Sequence, residues 1–433
     1  MQEHLLLQGD SKLRVAVIGS GGREHALVWK LKQSLKISEL FVIPGNPGMA
    51  ELATIVRVEQ NVAALVQEIE NLAIDFVVVG PEQPLAEGLS DELAERGILT
   101  FGPMKAAARL ESSKVFAKQL MYECNVPTAR FEVFSDFGSF ERFVNENPRA
   151  NGRVVKADGL AAGKGAFVCT DDSEALDVGR RLLVEKELGQ AGATIVVEEM
   201  LSGREASLHF LCDGERFLAL PPAQDYKRAF DGDEGPNTGG MGTFCPARHV
   251  SEETIRDVEQ RVVMPILRTL KDKGTPYHGL LYVGIMLTET GRQVIEFNCR
   301  FGDPETQVML PCLGYDLLEP MMECAKGALN PDKYSTQAAR NAVCVVLCAE
   351  GYPASYRKNV PLNAPECNAN QVFFSAGTST ADGKWVSSGG RVLNAVGLGG
   401  SMNEARSHAY DLAKKALVEG LRMRSDIALS EVS

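Results

Sequence analysis

Short apolar runs and longer amphipathic stretches alternate over roughly the first hundred residues. A short apolar run between glycine-rich turns is typical of a buried strand, and apolar residues at every third or fourth position indicate a helix. Strands that alternate with helices predict a doubly wound parallel sheet. The predicted strands are Leu13–Ile18, Leu40–Ile43, Thr54–Val58, Asp75–Val79 and Ile98–Phe101, with a first helix at Glu24–Leu35.

The pattern becomes mixed further along the chain. A continuous helical pattern covers Met104–Cys124, and strands and helices then follow in irregular order. The last hundred residues predict a small α+β domain, with strands and one helix at Ala342–Cys348, Gln371–Ala376, Arg391–Leu398 and Ser401–Val418. We therefore predict a protein of several domains that combines α/β and α+β architecture.

Two late strands, Gly279–Thr288 and Arg292–Asn298, flank a short turn and are predicted to form a hairpin. Glu296 and Asn298 lie two positions apart on the second strand, so their side chains point to the same face. A carboxylate and a carboxamide are oxygen ligands that suit a hard cation such as Mg²⁺. A charged hairpin end at the surface has the same pattern, and the spacing alone leaves both interpretations open.

The composition is ordinary for a globular protein and excludes some functions. The 433 residues are 45% hydrophobic and 24% charged, with a formal net charge of −12. No block of lysine and arginine occurs, which argues against nucleic-acid binding, because phosphate contacts need clustered positive charge. Ten cysteines without a CxxC pair and six scattered histidines do not support a zinc site.

The sequence contains no sign of membrane insertion or export. No apolar run reaches the roughly eighteen residues that predict a membrane span. The first residues, Met1–Ser11, contain acidic side chains and no lysine or arginine, unlike a secretory signal. We predict a cytoplasmic protein without membrane contact. Because no long apolar face or heptad pattern is visible, we also predict a monomer.

The first strand leads into a glycine-rich loop, Gly19–His25. The dinucleotide fingerprint GxGxxG requires glycine where Glu24 stands, so a nicotinamide dehydrogenase has only weak support. We prefer an anion site in which the amides of Gly21 and Gly22 face the ligand and Arg23 adds positive charge. A tight strand-to-helix turn without any ligand fits the same residues.

A second glycine-rich segment, Lys156–Gly165, joins two predicted strands. It lacks the spacing and the Ser or Thr of a Walker A loop, and a strand rather than a helix follows it. A flexible hairpin whose amides and Lys164 fold over phosphates fits better than a plain turn. Upstream, Lys114 and Lys118 share one predicted helix face, for which a solvated surface is the ordinary interpretation.

Two further segments are unusually polar. Glu198 and Glu199 end a predicted strand at Thr194–Glu199 and form either a surface pair or a hinge that contacts adenine and ribose. Gln224–Gly242 has no secondary-structure periodicity over nineteen residues, a length more typical of a functional loop than of a simple connection.

Together these segments resemble those of the ATP-grasp ligases and, within them, the phosphoribosylamine–glycine ligase family. The resemblance runs in order over nearly the whole chain, from about residue 13 to beyond residue 420, through Gly19–His25, Val79–Leu85, Lys156–Gly165, Gly235–Gly242 and Arg300–Gln307. The last run is specific to this family and argues against its formate- and carbonate-using sister enzymes. The family usually has histidine where this chain has Tyr226. Because tyrosine does not exchange protons near neutral pH, we expect this position to act in positioning.

The resemblance implies that ATP, glycine and 5-phosphoribosylamine give ADP, phosphate and glycinamide ribonucleotide through glycyl phosphate, in de novo purine biosynthesis. It implies ATP and Mg²⁺ (or Mn²⁺) as cofactors and small-molecule substrates as partners. ATP-grasp domains are expected over residues 113–335, with a lid subdomain at about 132–199. A Rossmann-like domain at 12–112 precedes them, and the α+β domain at 336–428 follows.

The same resemblance assigns roles to individual residues. ATP is expected to contact Lys114, Lys156, Gly159, Gly163, Lys164, Gly165, Glu198, Glu199, Leu201 and Glu205. The expected substrate contacts are Gly21, Gly22, Arg23, Glu24, Glu82, Thr238, Gly239, Gly240 and Met241. Arg300, Asp303, Asp225 and Lys227 are expected to be catalytic, and Glu296 and Asn298 to bind the metal. The presence of Lys114, Lys156, Glu296 and Asn298 argues against a non-catalytic nucleotide-binding regulator. Glu305 and Gln307 receive no role.

Overall fold

The computed structural model describes residues 12–161 and 164–432. Met1–Ser11 and the predicted ATP contact Gly163 lie outside the described residues. The N-terminal part contains β1 (Leu13–Gly19), α1 (Gly22–Leu31), β2 (Ile37–Pro44), β3 (Thr54–Ile55), α2 (Val62–Asn71), β4 (Phe76–Val79), α3 (Glu82–Glu87), α4 (Leu89–Glu95) and β5 (Leu99–Phe101). Its strands form the predicted parallel sheet in the order β3-β2-β1-β4-β5.

The prediction of one continuous helix over Met104–Cys124 is wrong. The segment forms two helices, α5 (Lys105–Ser112) and α6 (Lys114–Glu123). The chain leaves helical geometry at Ser113, where φ and ψ are −140° and 110°. The Ser113 hydroxyl accepts the N–H of Phe116 at 3.1 Å and donates to Asp158 Oδ1 at 3.0 Å. This cap offers the backbone an alternative to continued helix.

The next elements form a small layer with its own core. They are β6 (Phe131–Phe134), α7 (Phe137–Glu146), β7 (Arg153–Ala157), β8 (Ala166–Cys169), α8 (Asp172–Leu183) and β9 (Ile195–Glu199). The strands pair antiparallel in the order β6-β9-β7-β8, and we call them the lid sheet. Phe140, Val155 and their neighbours form a hydrophobic cluster separate from the two larger ones.

The central part supplies a second antiparallel sheet. Its elements are β10 (Arg204–Asp213), β11 (Phe217–Ala219), β12 (Gln224–Asp225), β13 (Arg228–Phe230), β14 (Glu234–Asn237), β15 (Gly242–Cys245), α9 (Glu252–Val258), α10 (Met264–Asp272), β16 (His278–Thr288), β17 (Gly291–Asn298), α11 (Glu305–Cys312) and α12 (Leu318–Ala325). The central sheet has the order β11-β10-β16-β17. The predicted β16–β17 hairpin is confirmed, with Gly284 opposite Glu296.

The C-terminal part completes a third antiparallel sheet. It contains β18 (Asn341–Ala349), β19 (Gln371–Ser375), β20 (Thr378–Ala381), β21 (Lys384–Ser387), β22 (Arg391–Gly399), α13 (Met402–Ala416) and β23 (Leu421–Arg422). The sheet has the order β12-β15-β18-β22-β19, with β23 paired to β18. Because β12 and β15 come from the centre of the chain, the C-terminal sheet is joined directly to the central part.

The segment Gln224–Gly242 is more regular than predicted. It contains β12 and a two-stranded antiparallel hairpin, β13–β14, and it ends where β15 begins. These strands have two to four residues each, which is too short for an alternating pattern to be visible in the sequence.

The helices are short. The longest α-helix in the described ranges, α13, has 15 residues, while α9 and α10 are joined by a π-helical segment, Glu259–Val263, into one helical run. Within residues 12–161 and 164–432, no helix is long and apolar enough to span a bilayer.

Candidate active site

A cavity of about 640 Å³ opens between the lid sheet, the central sheet and the N-terminal part. It brings together most of the predicted site residues, although they are far apart in the chain. Its walls include Glu82, Lys114, Lys156, Gly165, Glu198, Glu199, Leu201, Glu205, Asp225, Lys227, Thr238, Gly239, Glu296, Asn298, Arg300 and Asp303.

Two lysines and one glutamate form a buried ion cluster at the cavity wall. Glu198 at the end of β9 lies 2.9 Å from the ammonium of Lys156 and 3.1 Å from that of Lys118. Lys156 also donates to the carbonyl of Ile295 at 3.0 Å, and Lys118 donates to Thr128 Oγ1 at 2.7 Å. Each carboxylate oxygen of Glu198 faces a lysine, whose buried charge requires a partner. Glu198 also lines the cavity, and its contact with the nucleotide stays a prediction.

Lys114 begins α6 and lines the same cavity as Lys118. The two lysines therefore share one helix face, and this face is not a solvated surface. Burial lowers the pKa of Lys114, while the Glu296 carboxylate raises it. Glu199 accepts the N–H of Arg130 at 3.1 Å, so its side chain is held at the edge of the lid sheet.

Glu296 and Asn298 line the cavity from the end of β17. Burial alone would raise the pKa of Glu296, but surrounding cations, Lys227 and Lys156 foremost, hold it below its usual range. An ionised carboxylate beside a carboxamide fits a hard divalent cation that takes its other ligands from phosphate and water. In the described part of the chain, no group of three or more His, Cys, Asp or Glu side chains could hold a metal ion.

Carboxylates outnumber ammonium groups on the wall around Asp225 and Lys227. Lys227 Nζ lies 2.8 Å from Glu205 Oε2. Burial raises the pKa of Asp225 to about 7, with Lys227 opposing the shift and Glu305 adding to it. Glu305, which had no predicted role, is buried and accepts the hydroxyl of Ser207 at 3.0 Å. This excess of carboxylates suits the amino group of a substrate.

Arg300 is held by two carboxylates from the N-terminal part. Its Nη2 lies 2.8 Å from Glu111 Oε1, and its Nε lies 3.3 Å from Glu82 Oε2. Glu111 Oε2 also accepts the N–H of Cys299 at 2.6 Å. The end of β17 is therefore fixed to the N-terminal part, and Arg300 presents its charge in one orientation.

The first glycine-rich loop does not provide the predicted anion site at Gly21. The N–H of Gly21 donates to Glu24 Oε2 at 2.6 Å, so a carboxylate of the same loop occupies this amide. A Cβ on Gly19 would lie 2.5 Å from Glu24 Cγ, which shows how closely this side chain is folded into the loop. A carboxylate in this place repels phosphate and accepts hydroxyl or amine donors.

The neighbouring residues of this loop contact other parts of the chain. Arg23 Nη1 donates to the carbonyl of Phe301 at 3.2 Å, and its Nε lies 2.5 Å from Glu24 Oε1. Gly22 faces the C-terminal sheet, since a Cβ there would lie 2.5 Å from Asn394 Nδ2. The loop thus lies beside the cavity and is fixed to the segment that follows Arg300.

A glycine-rich turn after β14 lies where the central and C-terminal parts meet. Thr238 and Gly239 line the cavity. Gly240 has a φ of +113°, and a Cβ on it would lie 2.4 Å from Pro304 Cδ, so this position requires glycine. Met241 is fully buried. The prediction that Met241 contacts substrate is therefore wrong, because its side chain packs in the core.

Two predicted ATP contacts of the glycine hairpin are not in the cavity wall. Gly159 donates its N–H to the carbonyl of Ala191 at 3.1 Å, and a Cβ on it would lie 2.9 Å from Ala191 Cα. This glycine is therefore needed for packing within the lid. Lys164 is exposed to solvent, whereas Gly165 lines the cavity.

Tyr226 is tied to the C-terminal segment. Its hydroxyl accepts the N–H of Ala428 at 3.0 Å, and the Arg424 guanidinium lies 4.9 Å from its ring centroid. Burial raises the pKa of Tyr226, so the phenol stays neutral. These contacts agree with the expected positioning role of this residue.

Several residues that shape the site were not predicted. Lys118 had a usable signal, since it follows Lys114 by four positions. The hydroxyl of Tyr282 is hydrogen-bonded to that of Ser207 at 2.9 Å. Tyr282 had no sequence signal, because it lies in an apolar strand. Glu111 and Arg391 carry no local motif, because their partners lie in distant parts of the chain.

The lid sheet and the central sheet enclose buried lysines together with Glu296 and Asn298, and this part of the chain matches the model of an ATP-grasp domain. The class of protein is therefore an ATP-grasp enzyme, a family that uses ATP and a divalent metal ion. Family models match residues 13–111 (phosphoribosylglycinamide synthetase, N domain), 112–306 (ATP-grasp (A) domain) and 342–430 (C domain). The chain therefore belongs to the phosphoribosylglycinamide synthetase family.

Relatives agree with this placement. The phosphoribosylamine–glycine ligase of Caldanaerobacter subterraneus subsp. tengcongensis is 43% identical over 423 residues, which cover 96% of this chain and 99% of the relative. The crystal structure of phosphoribosylamine–glycine ligase from Thermotoga maritima has a TM-score of 0.85 at 35% identity, covering 96% of this chain and 100% of that chain. A biotin carboxylase domain from Hydrogenobacter thermophilus, solved with MgADP, has a TM-score of 0.71 at 15% identity, covering 95% and 91%, and shares the fold.

Proposed function

We propose that the cavity carries out the ATP-dependent ligation of glycine to 5-phosphoribosylamine in de novo purine biosynthesis. The products are glycinamide ribonucleotide, ADP and phosphate. One observation carries the proposal: Lys114 and Lys156, the Glu296–Asn298 pair and the acidic wall at Asp225 meet in one cavity. Family membership over nearly the whole chain supports the identity of the substrates.

The reaction takes two steps. A carboxylate oxygen of glycine attacks the γ-phosphorus of ATP, the bond from that phosphorus to the bridging oxygen breaks, and ADP leaves. The amine nitrogen of phosphoribosylamine then attacks the carbonyl carbon of glycyl phosphate and loses a proton. Phosphate leaves with the electron pair of the broken carbon–oxygen bond. Because the protein forms no covalent bond, its contribution is positioning and charge neutralisation.

The ATP half of the site uses the lysines and the end of β17. Lys114 and Lys156 bind phosphate oxygens, and the β7–β8 hairpin covers the phosphates from the lid side. Glu296 and Asn298 would hold a divalent cation, which neutralises charge between the phosphates when it is bound. We propose Mg²⁺, with Mn²⁺ as a substitute, because both ligands are hard oxygen donors.

The substrate half uses the acidic wall and Arg300. The glycine ammonium binds among Asp225, Glu205 and Glu305, which orients its carboxylate toward Arg300. Lys227 balances this wall, and its 2.8 Å contact with Glu205 keeps it in place.

Phosphoribosylamine is proposed to bind at the neighbouring loop. A Cβ on Gly21 would lie 3.6 Å from Asp303 Oδ2, so the loop and Asp303 border one space. Glu82 lines the cavity and offers a carboxylate to ribose hydroxyls and the amine, while Glu24, held by Arg23 and the N–H of Gly21, shapes the loop beside it. This revises the sequence prediction for Gly21 and Gly22 while keeping the loop on the ribosyl side.

Coupled measurement of ADP release tests the proposal. Full turnover is expected only with ATP, a divalent cation, glycine and freshly made phosphoribosylamine together, and omission of any one should reduce the rate to background. Equal turnover with bicarbonate or another amino acid would assign the chain elsewhere in the ATP-grasp group. ATP binding without hydrolysis would indicate a regulator, and quenching of NADH fluorescence on titration would indicate a dehydrogenase.

Other sequence predictions remain predictions. They are the domain boundaries at 112, 335 and 428, the cytoplasmic location and the monomeric state. Size-exclusion chromatography with light scattering tests the last of these directly, since the expected monomer mass is 46.9 kDa.

A further inference from the structure

We infer that Arg391, a residue of the C-terminal part, positions the substrate half of the site. Arg391 begins β22, and its guanidinium reaches out of its own sheet to two other segments. Its Nη1 donates to the carbonyl of Gly239 at 2.6 Å and to the carbonyl of Asp303 at 2.7 Å. Its Nη2 lies 3.1 Å from Asp303 Oδ2. The inference rests on the proposed function, because it assigns Asp303 and Gly239 to substrate binding.

Arg391 shares the Asp303 carboxylate with Gln307. Gln307 Nε2 donates to Asp303 Oδ1 at 2.7 Å, and Arg391 engages the other oxygen. Each carboxylate oxygen thus has a donor, and a third contact holds the main chain of the same residue. Arg391 and the other nearby cations hold the pKa of Asp303 below its usual range against the raising effect of burial. Asp303 is therefore an ionised carboxylate in a fixed orientation.

The same guanidinium holds the glycine-rich turn after β14. A Cβ on Gly239 would lie 3.0 Å from Arg391 Cζ, so the turn backbone lies directly against the guanidinium plane. The N–H of Gly239 donates to Tyr352 Oη at 3.1 Å, a second contact with the C-terminal part. Arg391 thereby sets the distance between the Gly239 turn and Asp303, which border the cavity from opposite segments.

Only arginine has the geometry for this role. Its planar guanidinium presents several N–H donors in a rigid fork, whereas lysine has a single ammonium on a flexible stem. A lysine at this position keeps the positive charge but cannot reach two carbonyls and a carboxylate at once. Among the described residues, Arg391 has no contact with the ATP half of the site. If Arg391 positions the substrate half, its replacement should change the KM for glycine and phosphoribosylamine but not the KM for ATP.

The test compares Arg391→Ala and Arg391→Lys with Arg406→Ala. Arg406 is a matched control because it also donates to two backbone carbonyls of the C-terminal part, those of Ile427 at 2.8 Å and Ser425 at 2.6 Å. We expect Arg391→Ala to raise the KM for glycine and phosphoribosylamine and to lower kcat, with kcat/KM falling by about 10- to 100-fold. The KM for ATP should stay within about twofold of wild type in all variants.

Chemical rescue separates positioning from general stabilisation. Added methylguanidinium should restore part of the lost rate in Arg391→Ala and have no effect on Arg406→Ala. Arg391→Lys should also raise the KM for glycine and phosphoribosylamine and not that for ATP, with a smaller fall in kcat/KM. If Arg391→Ala does not fold, Arg391→Lys provides the test.

Two results would overturn the inference while leaving the proposed function intact. One is a wild-type KM for glycine and phosphoribosylamine in folded Arg391 variants. The other is a loss that affects ATP equally, without rescue. If wild-type protein itself shows no ligase activity with these substrates, the proposed function fails instead.

Discussion

The carboxylate of Glu198 lies 2.9 Å from the ammonium of Lys156, and both side chains are buried. The second oxygen of Glu198 faces Lys118 at 3.1 Å. One glutamate therefore contacts two lysines, and the cluster keeps a net positive charge at the wall where the lid sheet would meet the phosphates of ATP in the proposed complex. The ammonium of Lys156 is therefore already oriented before ATP phosphate binds in the proposed complex. Electrostatic preorganisation requires such an arrangement.

Replacing Glu198 with Gln should destabilise the protein. The substitution keeps the shape but leaves the Lys118 and Lys156 charges without their partner, and breaking a buried ion pair in this way typically removes roughly 3 kcal/mol or more from the free energy of unfolding. We expect a lower thermal midpoint and a higher KM for ATP. Glu92→Gln is the control, because the Glu92–Arg96 pair is exposed and contributes less than about 1 kcal/mol.

Replacing Glu296 with Gln should abolish most turnover while the protein still folds. The neutral side chain keeps its volume but loses the charge that would hold the divalent cation, and a bound cation contributes several kcal/mol to charge stabilisation. We expect kcat to fall by at least about 100-fold, with a higher Mg²⁺ requirement in ADP release. Glu289→Gln, at the exposed turn of the same hairpin, should behave like wild type. Near-normal rates for Glu296→Gln in Mg²⁺ would place the metal elsewhere.

The fold class was predictable because its signals are local. Each strand of the N-terminal sheet is an apolar run, and the alternation with helices determines the parallel topology. The break at Ser113 was not predictable, since the cap that stabilises it uses Asp158, 45 residues away. The short strands of Gln224–Gly242 were missed for a different reason: each has only two to four residues, too few for a visible alternation, although their pairing partners lie within or directly after the segment.

In the site, too, features set by local strand geometry were predictable, and features set by contacts between side chains and backbone in three dimensions were not. Glu296 and Asn298 share the cavity, as expected from strand geometry alone. Met241 was wrongly placed because a motif does not reveal which of its side chains turns into the core. Gly21 was wrongly interpreted because its amide could be satisfied either by a ligand or by Glu24, and only three-dimensional structure distinguishes the two.

Replacing Tyr226 with Phe should affect stability more than catalysis. The substitution removes the hydroxyl's hydrogen bonds with the N–H of Ala428 and the side chain of Ser430, and it keeps the aromatic ring next to Arg424. Loss of each such bond reduces the free energy of unfolding by about 1 kcal/mol, so the thermal midpoint should fall slightly while kcat stays within about twofold of wild type. A large loss of kcat at an unchanged thermal midpoint would show that the phenol takes part in the chemistry.

His25 should make stability depend on pH below neutrality. Its imidazole is buried between the N-terminal and C-terminal parts, and Nδ1 accepts the N–H of Ser375 at 2.9 Å. Burial lowers the pKa of His25 from 6.5 to about 4. Since the unfolded chain takes up the proton first, this contribution is fully present above pH 6.5 and is lost as the pH falls toward 4. The loss amounts to about 3 kcal/mol over the whole range.

The measurement compares thermal midpoints of wild type and His25→Gln at about pH 7.5 and about pH 5. Glutamine can still accept the N–H of Ser375 through its side-chain oxygen but does not titrate. Wild type should therefore lose more stability than the variant on acidification, by roughly 2 kcal/mol at pH 5. His408→Gln, at a half-buried histidine of α13, controls for the effect of replacing histidine elsewhere. Equal losses in wild type and His25→Gln would mean that His25 does not titrate as its burial requires.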